Sequence, residues 1–222
     1  MLYAALGDSI TCGYCAKAQE DGFVQRVCAS LSKQQPTNVF FNAKPGWTSR
    51  HLLKSLEKVP DCIWAEARLV TILIGGNDLL RQAPWLLDGN LGHLMTAADR
   101  FQERLTRIVQ HVQRPQSTLI LATLYNPFPH SLMAEEFTNA MNKAIHFVAK
   151  RERAVLADLR APFAQCESEL VEGYRRGQLG DFRLKGNPIH PNDHGHDVIA
   201  RAFLRAYRQS LAAVRHAKQK TR

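Results

Sequence analysis

Leu69-Val70-Thr71-Ile72-Leu73-Ile74 restricts the fold more than any other stretch, because it is apolar on both faces and rich in β-branched residues. Such a strand belongs in the middle of a parallel sheet, with helices packed on each side, rather than at a sheet surface open to water. The pattern around it agrees. Residues 1–6 form a short apolar run ending at Gly7, residues 38–42 contain Val39, Phe40 and Phe41 and read as a buried strand, and residues 118–123 and 154–159 are two further β-prone runs. Between these runs the apolar positions step by three and four: Phe23, Val27 and Leu31; then Leu52, Leu53 and Leu56; then Leu94, Ala98, Phe101, Leu105, Ile108 and Val112; then Phe137, Met141, Ile145 and Val148. Strands alternating with amphipathic helices predict an α/β fold with three α/β/α layers and a five-stranded parallel sheet. The first helix should stop near Gln35-Pro36, since a proline disfavours helical geometry in the residue before it. A last helix through Val198, Ala202, Ala206 and Leu211 packs back on the sheet.

A chain of 222 residues with 45% hydrophobic content fills one core, and no composition shift argues for a second. The expected organisation is one domain over residues 1–214 and a basic tail over 215–222. The formal charge of +9 is local: after Asp197 there are seven basic residues and no acidic ones, so residues 1–197 carry only +2. That distribution describes a solvated helix face and tail, with no nucleic acid expected as a partner. Asp8 interrupts the first apolar segment before it reaches signal-peptide length, and no apolar run approaches the roughly 20 residues of a membrane span. The expectation is a soluble, cytoplasmic protein without membrane insertion. The five cysteines, at 12, 15, 28, 62 and 166, do not suggest a disulfide framework. Cys12 and Cys15 have no second such pair to complete a zinc site, and read as ordinary thiols.

Chemistry-bearing residues collect at predicted strand ends. Ser9 follows the first strand in Gly7-Asp8-Ser9-Ile10, at the edge where open α/β sheets bind ligands, and is a candidate nucleophile. Gly46 follows the second strand, and Asn77 follows the third in Gly75-Gly76-Asn77-Asp78. His190 opens His190-Pro191-Asn192-Asp193-His194-Gly195-His196 just ahead of the last helix. Three histidines there raise the question of a metal site, but Pro191 keeps His190 off the helix and no carboxylate cluster supplies further ligands. No metal or cofactor is expected.

These four blocks, in this order, resemble the SGNH (GDSL) hydrolase family over essentially the whole chain. The resemblance implies a flavodoxin-like strand order of 2-1-3-4-5 and a serine hydrolase site without cofactor. Ser9 would attack an ester carbonyl, His190 would take its proton and return it to the leaving group, and the backbone N–H groups of Ser9 and Gly46 with the Asn77 amide would hold the oxyanion. The implied function is a serine esterase or lipase-like acyl hydrolase acting through an acyl-serine intermediate on a small-molecule ester or lipid, with thioesterase and carbohydrate deacetylase activities also within the family. In one respect the chain departs from the pattern. The family places Asp three residues before the catalytic histidine, and here that residue is Asn187. An amide accepts a hydrogen bond from the imidazole but brings no counter-charge; in a serine protease, Asp→Asn at the third position lowers turnover by ~10⁴. Three alternatives stay open: a Ser-His dyad oriented by Asn187 or a backbone carbonyl, a substitute carboxylate such as Asp181 or Asp193, or a non-catalytic or impaired ligand-binding module on the same fold. Two predicted loops beside the site contribute Trp85, Leu86 and Leu87, and Tyr125 and Phe128, which favour an apolar acyl or aryl group.

Overall fold

The computed structural model describes residues 1–82, 91–182 and 188–220. Five parallel strands, β1 (Leu2–Gly7), β2 (Asn38–Ala43), β3 (Ala67–Leu73), β4 (Thr118–Ala122) and β5 (Val155–Ala157), lie side by side in the order β2-β1-β3-β4-β5. The helices between them are α1 (Phe23–Ser32), α2 (Ser49–Leu56), α3 (Asp61–Glu66), α4 (Gly76–Leu80), α5 (Leu91–Val112), α6 (Leu132–Glu152), α7 (Arg160–Phe163), α8 (Glu167–Leu170) and α9 (Asp193–Lys220). Helices α1 and α9 pack together over one face of the sheet, and α2, α5 and α6 pack over the other. This is the three-layer α/β/α fold expected, with the expected strand order. Among the described residues no helix is long and apolar enough to cross a membrane.

The hydrophobic pattern builds this arrangement directly. In β1 and β3, Tyr3, Ala4, Ala5, Leu6, Leu69, Val70, Ile72 and Leu73 are all buried, as strands covered on both faces must be. The stripe Leu94, Ala98, Phe101, Leu105, Ile108 and Val112 turns inward along α5, and Phe137, Met141, Ile145 and Val148 do the same along α6.

Two local expectations are corrected. Residues 38–42 do not form a buried strand: β2 is an edge strand, with Phe41 44% exposed, since only one neighbour covers it. Helix α1 ends at Ser32, a turn earlier than the proline alone implies, and residues 31–35 close as a tight turn through Gln34 N and Gln35 N on Leu31 O. Helix α9 runs on through Lys220.

The register places the strand ends together. Gly7 pairs with Ala43 on one side and Leu73 on the other, so the carboxyl ends of β1, β2 and β3 finish in one row. Gly7 itself allows this closure: a Cβ there would lie 2.1 Å from Thr11 Oγ1 and 2.3 Å from Leu73 O. The residues that follow each strand end, including Ser9, Gly46 and Asn77, therefore begin along a common sheet edge.

Candidate active site

Ser9 sits in a tight run of turns after β1, with Cys12 N on Asp8 O and Tyr14 N on Ser9 O, each at 3.0 Å. Its hydroxyl is 2.9 Å from Nε2 of His190, a contact between residues 181 positions apart. His190 is delivered by an irregular segment held at several points. Glu172 N donates to His190 O at 2.8 Å, Val171 bridges Pro191, and Asn192 N donates to Leu170 O. Asn192 then caps α9 by accepting from Gly195 N at 3.0 Å. Gly195 is required where it stands, because a Cβ would lie 2.4 Å from Leu170 O and 2.6 Å from Pro191 Cβ.

Burial pushes the His190 imidazole down to about 4, with the neighbouring His196 adding to the effect. The ring is therefore neutral across the physiological range, and Nε2 is free to accept the Ser9 proton. Among the described residues no group hydrogen-bonds His190 Nδ1. Asp181 instead accepts from Arg176 N and Gln178 N, and Asp193 accepts from Lys17 N and pairs with the Lys17 ammonium. Both carboxyls named as substitutes are thus engaged elsewhere. Asn187 lies outside the described residues.

Asn77 stands in the first turn of α4 just beyond β3, and its amide Nδ2 donates to Trp47 O at 3.0 Å and to Asp8 Oδ2 at 3.4 Å. The first of these ties it to the turn carrying Gly46, which is exposed with φ +79°, a conformation suited to glycine. The turn is clamped from the other side by Asp78. Its carboxylate accepts from Ser49 N at 2.7 Å and Ser49 Oγ at 2.6 Å at the start of α2, with Arg104 at 3.5 Å. Asp8 is almost fully buried beside these groups, accepts from Ile10 N, and is pushed up to about 7 by burial.

A pocket opens over Ser9, lined by Ile10, Leu79, Leu80, Leu124, Tyr125 and Ile189 as well as by Asp8, Asn77 and His190. The structure thus gathers Ser9, Asn77, His190 and Tyr125 around one cavity, while Gly46 lies outside its lining and reaches it through the Trp47–Asn77 contact. Phe128 is also outside the lining. It is buried behind the loop, edge-on to Phe182, and its backbone is held by the Asn126 side chain. Trp85, Leu86 and Leu87 fall outside the described residues.

Of the remaining histidines, His194 is exposed and His196 is fully buried, so the two point apart. His196 Nε2 donates to Tyr14 O at 3.1 Å and Nδ1 accepts from Phe23 N at 3.4 Å, which joins α9 to the Ser9 segment and to α1. Among the described residues no three His, Cys, Asp or Glu side chains are grouped to hold a metal ion. Cys12 and Cys15 are half-buried thiols, and burial raises both, Cys12 to about 11.

Two residues at the site were given no role from the sequence, although Asp8 stands inside the first block. Tyr14 packs its ring against His190 at 4.6 Å between centroids, and Asp8 stands beside the Asn77 amide.

Known proteins match both sequence and fold. The chain is 23% identical over 209 residues to the spore germination lipase LipC of Bacillus licheniformis, covering 89% of this chain and 92% of that protein. Among solved structures it is similar to the lipase Lip_vut3 from a goat rumen metagenome, with a TM-score of 0.77 at 24% identity, covering 93% of this chain and 97% of the other. It is also similar to Axe2, an acetylxylan esterase from Geobacillus stearothermophilus, with a TM-score of 0.66 at 22% identity over 92% and 93%. Those structures share the fold. The model of the GDSL-like Lipase/Acylhydrolase family matches residues 5–198, nearly the whole chain, and the protein therefore belongs to that family of acyl hydrolases.

Proposed function

We propose that this protein hydrolyses carboxylic esters with a small apolar acyl group through an acyl-Ser9 intermediate. The observation that carries the reading is the 2.9 Å contact between Ser9 Oγ and His190 Nε2 at the floor of an apolar pocket. His190, neutral and aimed at the hydroxyl, takes the proton as Ser9 attacks the carbonyl carbon; the C–O bond to the alcohol then breaks, and the alcohol leaves with that proton. Water attacks the acyl-enzyme by the same route in reverse, His190 again taking a proton, and releases the acid.

The developing oxyanion is assigned to the backbone N–H groups of Ser9 and Gly46 and to Asn77 Nδ2. The amide already spends its two protons on Trp47 O and, more weakly, on Asp8 Oδ2. The longer Asp8 contact is the one it exchanges for the oxyanion. The aliphatic lining supports an apolar acyl group over a polar sugar, because a buried hydroxyl left without a partner costs about 1 to 3 kcal/mol. Small-molecule esters are the proposed substrates, no metal or cofactor takes part, and residues 1–214 are proposed to act as one hydrolase domain.

Fluorophosphonate labelling and hydrolysis of p-nitrophenyl acetate, butyrate and octanoate by wild type and Ser9→Ala test this. Labelling and turnover should both vanish in the variant; a variant that hydrolyses as well as wild type removes Ser9 from the chemistry.

A further inference from the structure

Serine hydrolases need their base held in one orientation, and a carboxylate normally does this. Here the described part of the site offers His190 no carboxylate, yet the imidazole stands at hydrogen-bond distance from Ser9. Two tyrosines contact the segment. Tyr125, three residues beyond β4, is buried and stacks flat on Phe163 at 4.2 Å between centroids, and its hydroxyl donates to the carbonyl of Ile189 at 2.6 Å. That carbonyl belongs to the peptide bond entering His190. Tyr125 cannot drift, since the residue before it is held by Asn142 through two hydrogen bonds, Leu124 N to Oδ1 at 2.7 Å and Nδ2 to Leu124 O at 2.8 Å. Tyr14 lies on the imidazole itself, with ring centroids 4.6 Å apart and planes tilted by 48°. Its backbone is fixed at both ends, Tyr14 N on Ser9 O and Tyr14 O under the buried His196.

Resting on the ester-hydrolase reading above, we propose that Tyr125 and Tyr14 are positioning residues that take over the orienting role of the missing carboxylate. Tyr125 tethers the backbone that carries His190, and the Tyr14 ring limits rotation of the imidazole away from Ser9. They act on position alone and supply no counter-charge. The backbone bond from Glu172 N to His190 O completes the hold, so the residue is gripped on each side of its Cα and on its ring.

The two contributions separate experimentally. Tyr125→Phe keeps the ring that lines the pocket and removes only the tether. On p-nitrophenyl acetate its kcat should fall about tenfold with KM within twofold, because small misplacement of a catalytic group costs rate rather than binding. Tyr14→Leu should lose kcat similarly, and Tyr14→Phe should recover most of it. Melting temperatures, measured alongside, should leave each variant fully folded at the assay temperature. Unchanged kcat in Tyr125→Phe, or a loss in Tyr14→Leu that Tyr14→Phe does not recover, overturns the proposal. If wild type hydrolyses no ester, the functional reading fails separately, and ¹⁵N NMR of the histidine rings still decides this one. The His190 signals should be sharp in wild type and shifted or broadened in Tyr125→Phe; identical spectra refute the tether.

Discussion

Asp8 is a buried carboxyl placed next to an amide that the proposed reaction needs, and its cost to the fold can be measured. It is 3% exposed, accepts one good hydrogen bond from Ile10 N and one long one from Asn77, and has Asp78 nearby. Burial is the main cause of its rise from 3.8 to about 7, with the Asp78 charge adding to it. In the unfolded chain Asp8 ionises near its ordinary value. Between these two values the folded protein therefore holds a proton that the unfolded chain has lost, and stability falls as pH rises through the window. At about 1.36 kcal/mol per pH unit, the gap is worth about 4 kcal/mol above pH 7. Wild-type stability alone will not display this, because His190 and His196 have lowered values and act in the opposite sense over part of the same range. Each of these histidines contributes stability that is present above its ordinary value and lost on acidification through the lowered one.

The difference between wild type and Asp8→Asn isolates the carboxyl. The amide cannot ionise, and its altered hydrogen bonding, worth about 1 kcal/mol, is the same at every pH. Urea unfolding at pH 4, 5, 6, 7 and 8 should show Asp8→Asn gaining on wild type by about 4 kcal/mol from the lowest pH to the highest. A difference that stays flat within about 0.5 kcal/mol across that range would refute the reasoning, since it would mean Asp8 ionises as easily in the fold as out of it.

Asn77→Ala removes the one side-chain donor assigned to the oxyanion, and kcat on p-nitrophenyl acetate should drop by roughly 10² to 10³ with little change in KM. Because His190 must be neutral to accept a proton and burial holds it near 4, kcat/KM should remain level down to about pH 5 and fall below it; a midpoint of 6 or above in the pH profile contradicts this. Asn187→Asp supplies the charge that the family pattern places three residues before the histidine, so kcat should rise and the acid limb should move to higher pH in the same assay. Gly195→Ala drives a methyl group into Leu170 O and Pro191; it should cost about 1 to 3 kcal/mol in urea unfolding and lower kcat by displacing the segment that carries His190.

The strands and the long helices were legible because their side chains repeat with the period of the structure they form. Residues 69–74 are apolar but for Thr71 and lie in the middle of the sheet, and the Leu94-to-Val112 stripe is one face of α5. The edge position of β2 was not legible in its own residues and came only with the strand order that the family resemblance implied. Val39, Phe40 and Phe41 look alike whether one neighbour covers them or two, and only the pairing of β1 with β3 leaves β2 outside. In the same way, Tyr125 and Phe128 were equivalent loop aromatics in the sequence; the structure turns the first toward the pocket and buries the second behind it against Phe182.

What the sequence determined by itself is the kind of fold and the kind of chemistry, since hydrophobic period and residue type are properties of each position alone. Ser9, Gly46, Asn77 and His190 were each visible in the blocks where they stand. The tertiary structure decided how far each stands from the others and what surrounds it. The contact between Ser9 and His190, the burial that holds His190 neutral and raises the Asp8 carboxyl, the Tyr125 bond to the Ile189 carbonyl and the Tyr14 ring on the imidazole all join residues far apart in the chain. Distances and desolvation of that kind arise only once the strand ends and the start of α9 meet at one edge of the sheet.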